Sequence, residues 1–376
     1  MLRQEGYKMR HQKKLLAGIS ALAVIVGLSA CGQGQAASGG TADASSASPT
    51  IGVLFPDTHT PHWENVMWPS VRDAIKAECP TCKVLYANVA ADPTQQENQA
   101  QSMLAQGAKA LILAPVNSAS STVIVNQAKA QNVPVIGFGS IPEGPAAAFV
   151  GIDVTALGQL QGQELLKQIE AGGDPKRGCV IALDGDAQTP ASAQFLEGRK
   201  SALDSHVNIC KETSITNWDP ANAQTAMDQA ITAVGRDKII GVYTMDDTIA
   251  SGAAAAMKAA GFKSTLPPMG GQDADLAAMQ RILTGQQSFT LNPRVDTWGN
   301  VAGPVALKAA RGEQLTSSTT VKNQTEDMPW FATVQAAVIT AANMQSAVID
   351  YGLYTFDQIC TADYAAACKA AGLHTK

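Results

Sequence analysis

The sequence predicts an α/β protein made of two doubly wound lobes, each built on a parallel sheet. From Thr50 onward, short apolar runs alternate with longer Ala-rich amphipathic stretches, a pattern typical of repeated βαβ units. After five apolar runs the pattern restarts near Asp153, which predicts that one lobe ends there and a second begins. The 32 glycines and the low aromatic content of 5% agree with short turns between many elements.

The individual elements can be predicted in chain order. Apolar runs predict strands at 51–55, 84–88, 110–114, 135–138 and 149–153 in the first lobe, and at 179–183, 208–211, 239–244 and 269–271 in the second. Amphipathic stretches predict helices at 93–106, 118–131, 157–171, 222–234 and 249–260. Because the strand residues are apolar without alternation, helices should cover both faces of each sheet.

Length and composition exclude several classes of protein. A chain of 376 residues that is 45% hydrophobic and 16% charged can bury a large core, which excludes a disordered or fibrous protein. The net charge is −5, and residues 1–30 hold five basic residues and one acidic residue, so the rest of the chain is more negative still. No basic patch is expected, and nucleic acid is excluded as a partner.

Residues 1–30 are predicted to be a lipoprotein signal peptide. Five basic residues precede an uncharged, mostly apolar run at 15–28, which is too short to span a bilayer comfortably. The following Leu28-Ser29-Ala30-Cys31-Gly32 resembles the bacterial lipoprotein box, which implies lipidation of Cys31 after cleavage. The alternative is an ordinary secretion signal with a buried cysteine nearby. Residues 31–49 would then be the lipidated Cys and a flexible tether, which places the protein outside the cytoplasm on a membrane anchor.

The cysteine count agrees with an exported protein. Of seven cysteines, one is the predicted lipid attachment site and six remain for disulfides in an oxidising compartment. Six cysteines allow 15 connectivities, and the sequence leaves the connectivity open. One set of pairings is local: Cys79 with Cys82, Cys179 with Cys210, and Cys360 with Cys368. A CxxC motif can also signal thioredoxin chemistry, but that motif belongs at a helix start, so we interpret Cys79 and Cys82 as a structural staple.

Three segments carry a resemblance to a known family. They are the stretch from Ile51 to Trp63, Trp218-Asp219-Pro220 with the following Asn222, and Gly271-Gln272-Asp273-Ala274-Asp275-Leu276. These segments resemble the xylose-binding branch of the periplasmic sugar-binding proteins of ABC importers, and the similarity runs from about residue 50 into the 330s. The resemblance implies a type I solute-binding fold with three crossing strands as a hinge, which closes on one monosaccharide and delivers it to a membrane permease.

The same resemblance implies the domain boundaries and the ligand-binding residues. The N-terminal lobe would comprise 50–153 plus 293–322, and the C-terminal lobe 154–292 plus 323–376. A monomer without cofactor or metal is expected. The family's ligand-binding positions fall on residues of this chain that include two indoles and three carboxylates, namely His62, Trp63, Asp153, Trp218, Asp246 and Asp273.

Sugar chemistry supports these residue types independently. A monosaccharide presents a ring of hydroxyls and an apolar C–H face, so its site needs planar acceptors and aromatic plates. In sheets of this kind ligands bind beyond the carboxyl ends of the strands, and Asp, Asn and Trp dominate those positions here.

Several departures from the family pattern bear on the ligand. Phe138-Gly139-Ser140 stands where xylose binders carry Tyr-Asp-Arg, so a carboxylate and a guanidinium are lost together. Asp246 replaces an Asn, and Asn292 or Arg294 would have to substitute for a Lys. The predicted pocket is more negative than its relatives, and a ligand other than xylose is expected: another pentose or hexose, a polyol such as an inositol, or an amine-bearing sugar.

Each candidate residue also has a structural alternative. Asp246, its neighbour Asp247, and Asp273 could cap the helices that follow them. Asp153 could bond backbone amides across the hinge, and the two tryptophans could belong to the core. His59 and His62 lack a third metal ligand at the usual spacing.

A binding protein is therefore the predicted function, and two other classes remain as alternatives. One is a sugar sensor that presents its closed form to a signalling receptor, and the other is a membrane-tethered glycosidase with paired carboxylates. The usual nucleophile-elbow, P-loop, zincin and dinucleotide motifs are missing from the sequence, so no enzyme activity is expected.

Overall fold

The computed structural model describes residues 48–262 and 266–376. The predicted signal peptide, Cys31 and nearly all of the tether lie outside these residues. Within them, no helix is both long enough and apolar enough to cross a membrane.

The first lobe is built on a seven-stranded sheet. Its strand order is β10-β11-β5-β4-β3-β1-β2, and all neighbours are parallel except β10 and β11. The order of the first five strands, 2-1-3-4-5, is that of a doubly wound sheet. The strands are β1 (Thr50–Phe55), β2 (Lys83–Asn88), β3 (Ala108–Leu113), β4 (Val135–Phe138), β5 (Ala148–Gly151), β10 (Thr320–Lys322) and β11 (Asp327–Ala332).

Helices cover both faces of this sheet, as the unbroken apolar strands require. The side chains of Ile51, Val53 and Phe55 pack on one face against two helices, and Leu54 packs on the other face against two more. The first pair is α1 (Trp68–Glu78) with α9 (Val295–Ala310), and the second is α2 (Pro93–Ala105) with α3 (Ser118–Ala130).

The second lobe repeats the arrangement on a smaller scale. Its parallel strands lie in the order β7-β6-β8. Met269 adds a single parallel bridge to β8, so the strand predicted at 269–271 is reduced to one residue. The strands are β6 (Cys179–Asp184), β7 (Ile209–Ser214), β8 (Ile239–Thr244), β9 (Thr290–Asn292) and β12 (Ala337–Ile339), of which β9 and β12 form an antiparallel pair. The helices are α4 (Val154–Ala171), α5 (Pro190–Arg199), α6 (Pro220–Val234), α7 (Asp247–Ala259) and α8 (Leu276–Leu283).

Three segments connect the lobes. The chain crosses from β5 to α4, returns from β9 to α9, and crosses again from β11 to β12. This arrangement confirms the predicted α/β fold of two doubly wound lobes. The predicted boundary at 322 is wrong, because β11 pairs in parallel with β5 through Trp330 and Phe149. The first lobe therefore extends to residue 332.

The C-terminal tail packs on the second lobe. Two short helices, α10 (Phe356–Ile359) and α11 (Ala365–Ala370), follow β12. Apolar tail residues, among them Met344, Val348 and Ile359, form a buried cluster with Met279 and Ile282 of α8.

The three local disulfides are present. Cys79 joins Cys82 at the end of α1, which agrees with a structural staple. The second bridge links Cys179, the first residue of β6, to Cys210 near the start of β7. The third links Cys360 to Cys368 within the tail.

Candidate functional site

A cavity lies between the two lobes, at the carboxyl ends of their parallel strands. The space between its walls is about 860 Å³, a figure that includes open solvent. First-lobe loops supply Asp57, His62, Trp63, Gly139 and Ser140, second-lobe loops supply Asp186, Asn217, Trp218, Asp246, Gln272 and Asp273, and the crossing segments supply Val154, Pro293, Val295 and Trp298.

The lobes touch each other beside this cavity. His62 Nδ1 of the first lobe lies 3.4 Å from Asp273 Oδ2 of the second, and both side chains are buried. The Ser140 hydroxyl, after β4, accepts a hydrogen bond of 3.1 Å from the backbone N–H of Ala191 in α5. These contacts require the lobes to be close together, so the structure shows a closed form.

Each lobe contributes an indole to the cavity wall. Trp63 opens a π-helical turn after β1 and packs on Phe55 with a ring-centre distance of 5.0 Å. Trp218 follows β7, donates its Nε1–H to Thr189 Oγ1 at 2.9 Å, and covers Gly185 so closely that a Cβ there would lie 2.1 Å from its ring. Both indoles are therefore fixed before a ligand arrives.

The backbone has a positive φ at three non-glycine wall residues, Asn217 (58°), Trp218 and Asp273. Asp273 has a φ of 95° and Trp218 a φ of 55°, a region that non-glycine residues seldom occupy. Such strain persists only where the surrounding structure imposes it, and it clusters at ligand sites.

The four carboxyls of the wall differ in their hydrogen bonds. Asp57 accepts from the backbone N–H groups of His59 and Thr60, at 2.9 and 2.8 Å. Asp186 accepts from the N–H groups of Gln188 and Asn217. Asp273 pairs with His62.

Asp246 is the carboxyl with an unused buried oxygen. Its Oδ1 caps α7 by accepting from the N–H of Ile249 at 2.7 Å. Its Oδ2 is buried and has no protein partner. Burial, reinforced by the nearby charge of Asp273, raises the pKa of Asp246 well above its usual range.

His62 is the cation of the cavity wall. Burial alone would lower its pKa, but the attraction of Asp273, together with Asp275 and Asp57, outweighs that effect and raises the pKa to about 9. His62 is therefore protonated at neutral pH, and its charge is matched by Asp273.

Two further carboxyls lie behind the wall. Asp247 accepts from Gln287 Nε2 at 2.6 Å, from Thr290 Oγ1 at 2.8 Å and from the N–H of Asp275 at 3.0 Å. Burial raises the pKa of Asp275 to about 7, against the lowering effect of His62. Asp247 is thus held by the protein itself, which is a structural role.

The structure brings five of the seven predicted ligand-binding residues together and leaves two outside. His62, Trp63, Trp218, Asp246 and Asp273 all line the cavity.

Asp153 and Asn292 do not line it, which corrects their predicted placement. Asp153 is exposed, and its carboxylate turns to cap α4 by accepting from the N–H of Ala156 at 3.0 Å. Asn292 is buried in β9 and accepts from the N–H of Arg294. The guanidinium of Arg294 stacks 3.8 Å from the ring centre of Tyr351 instead of facing the cavity.

Sequence reasoning missed Trp298. This residue lies in the first turn of α9, donates its Nε1–H to the carbonyl of Pro293, and presses on Gly139, where a Cβ would lie 3.0 Å from its ring. The sequence signal that could have identified it is its position just after the second segment that connects the lobes. Asp186, Asn217 and Gln272 also line the cavity and follow strand ends, the positions at which sheets of this kind bind ligands.

No group of His, Cys, Asp and Glu side chains suited to a metal ion occurs within residues 48–262 and 266–376.

Two doubly wound lobes, joined by three crossings around a closed cleft, define the class of type I solute-binding proteins. Comparison with known proteins agrees, since the chain belongs to the family described as "Periplasmic binding protein domain", whose profile matches residues 51–314.

Individual relatives cover most of the chain. It is 26% identical to the D-xylose-binding periplasmic protein of Escherichia coli K12 over 285 residues, 74% of this chain and 83% of the relative. It is 25% identical to the multiple sugar-binding periplasmic protein SbpA of Azospirillum brasilense, in an alignment that covers 82% of this chain and 90% of the relative. The structure also superposes on an ABC transporter solute-binding protein of Clostridium phytofermentans, solved with β-D-glucose, with a TM-score of 0.72 at 20% identity. The superposition covers 82% of this chain and 99% of the other and supports the fold.

Proposed function

We propose that this protein is the extracytoplasmic substrate-binding component of an ABC importer and captures a monosaccharide or related polyol between its lobes. One observation carries the proposal: a single interlobe cavity is lined by an indole from each lobe and by Asp246, a carboxyl with one oxygen that has no protein partner. Indoles cover the C–H face of a sugar ring, and carboxylates accept hydrogen bonds from its hydroxyls. The names of the xylose-binding and multiple sugar-binding relatives support the same ligand class.

Capture would proceed by hinge closure. The three crossing segments leave the lobes free to separate, and a ligand that contacts both lobes favours the closed form by its differential contacts. His62 and Asp273 add an interlobe attraction in the closed form. The permease would then recognise the closed surface.

A thermal-shift screen of the purified mature protein against pentoses, hexoses, inositols and amino sugars tests this function. A ligand that binds only the folded protein stabilises it by mass action and so raises its melting temperature. At a ligand concentration of a hundred times Kd, the free energy of unfolding rises by about 2.7 kcal/mol. The absence of any shift across the panel would contradict the proposal. Ligand-dependent co-purification with a permease would separate an importer component from a sensor.

The membrane anchor is a further part of the proposal. It is supported by the lipoprotein-like run that ends at Cys31 and by the Gly-, Ala- and Ser-rich residues that follow it. Substitution Cys31→Ser should release the protein from the membrane fraction and abolish incorporation of radiolabelled palmitate. If the variant stays in the membrane fraction and still incorporates palmitate, lipidation at this position is refuted.

A further inference from the structure

The charges of the cavity wall do not balance. Among the residues that the structure describes, the ionisable side chains that line the cavity are four carboxyls, Asp57, Asp186, Asp246 and Asp273, and one imidazole, His62. None of the described Lys or Arg residues lines it. A ligand that enters this cavity therefore meets an excess of acidic groups.

Two side-chain oxygens in this wall, Asp246 Oδ2 and Gln272 Oε1, are buried without a hydrogen-bond partner, and Asp246 is the carboxyl of the two. Asp57 and Asp186 are held by backbone N–H groups, and Asp273 by His62. Asp246 is 1% exposed, and its Oδ2 has no hydrogen-bond donor within reach. A buried carboxylate oxygen without a donor is costly, so this site calls for a donor from the ligand.

The surroundings of Asp246 favour a charged donor. Its carboxyl lies in the field of Asp273, Asp275 and Asp247. The described cations near this group are His62, already paired with Asp273, and Arg281, which is engaged by Gln287 and the backbone carbonyl of Asp247. A hydroxyl would supply a hydrogen bond without charge, whereas an ammonium would supply both, and charge-assisted hydrogen bonds are roughly twice as strong as neutral ones.

We propose that the ligand is an amino sugar or aminocyclitol whose protonated amino group donates a hydrogen bond to Asp246 Oδ2. This inference rests on the proposed function, because it specifies the ligand class of the same cavity. The indoles Trp63 and Trp218 would contact the ring, and Asp246 would select the amine.

Calorimetric titration with matched ligands tests the inference. The panel comprises amino sugars and aminocyclitols with the amine at different ring positions, each compared with its hydroxyl parent and its uncharged N-acetyl derivative. We expect at least one amine to bind 30-fold or more tightly than its parent and its N-acetyl derivative. If neutral parents bind as tightly as every amine, the inference is overturned while the proposed function stands; if nothing in the panel binds, the proposed function itself fails.

A pair of variants assigns the preference to one residue. Asp246→Asn retains the cap on α7, because Asn caps helices as well as Asp, but it loses the charge. The ratio of amine to parent affinity should fall towards one. Asp275→Asn removes a buried carboxyl of the same cluster that does not line the cavity, and it should keep the ratio above ten. An unchanged ratio in Asp246→Asn, or an equal loss in both variants, would overturn the assignment.

Discussion

His62 and Asp273 form a buried ion pair, with 3.4 Å between Nδ1 and Oδ2, that joins the two lobes beside the cavity. The pair can form only when the lobes are closed, because each partner comes from a different lobe. The raised pKa of His62, about 9, has the same origin. Protonation of His62 and closure of the cleft are therefore linked.

The stability of the closed form should fall as pH rises. A histidine whose pKa is raised from 6.5 to about 9 stabilises the folded form fully below pH 6.5, and this stabilisation is lost as pH rises through 9. The shift corresponds to on the order of 3 kcal/mol. Urea unfolding of the protein saturated with the ligand found in the screen, from pH 6 to 10, should show a steeper loss of unfolding free energy for the parent than for His62→Gln. Parallel curves would show that the pair adds nothing.

Asp246→Asn and Asp247→Asn should change the stability of the unliganded protein in opposite directions. Because burial raises the pKa of Asp246, that carboxyl costs stability at every pH above its unfolded value, near 4. Asn removes this cost and keeps the cap, so Asp246→Asn should stabilise by about 1 kcal/mol at pH 7.

Asp247→Asn is the matched control. Both oxygens of Asp247 already accept hydrogen bonds from protein donors, so an amide nitrogen would face a donor, at a cost of about 1–3 kcal/mol. Melting temperatures of the two variants at pH 7 test the expectation. Destabilisation of both to the same extent would mean that Asp246 is structural.

Gly185→Ala should displace the second-lobe indole. Gly185 has an ordinary backbone conformation, but an added Cβ would lie 2.1 Å from the ring of Trp218. We expect a loss of ligand affinity of tenfold or more, measured by calorimetry with the ligand found in the screen. Gly172→Ala, at the end of α4, is the control and should bind normally. Normal binding by Gly185→Ala would remove Trp218 from the site.

The sequence predicted the lobes well because local patterns determine them. The strands 135–138 and 239–244 occur at the predicted residues, and the helices begin or end within a few residues of their predictions. Buried apolar runs and amphipathic stretches are properties of neighbouring residues, so they are visible without a structure.

The errors arose where distant segments meet. The assignment of β11 depends on its pairing with β5, far away in the sequence. Trp298 reaches the cavity only because the second crossing places the start of α9 there. Asp153 follows a strand end as the other candidates do, but its carboxylate caps α4, and neighbouring residues do not reveal which way such a side chain turns.

The arrangement of the disulfides leaves the hinge unrestrained. Cys79 and Cys82 lie in the first lobe, and the other two bridges lie in the second lobe and its tail. None of the six cysteines in the described chain bonds across the crossings. Disulfide formation therefore stabilises each lobe separately and places no covalent limit on lobe separation. The redox state of the surroundings should change the stability of the lobes without changing access to the cleft.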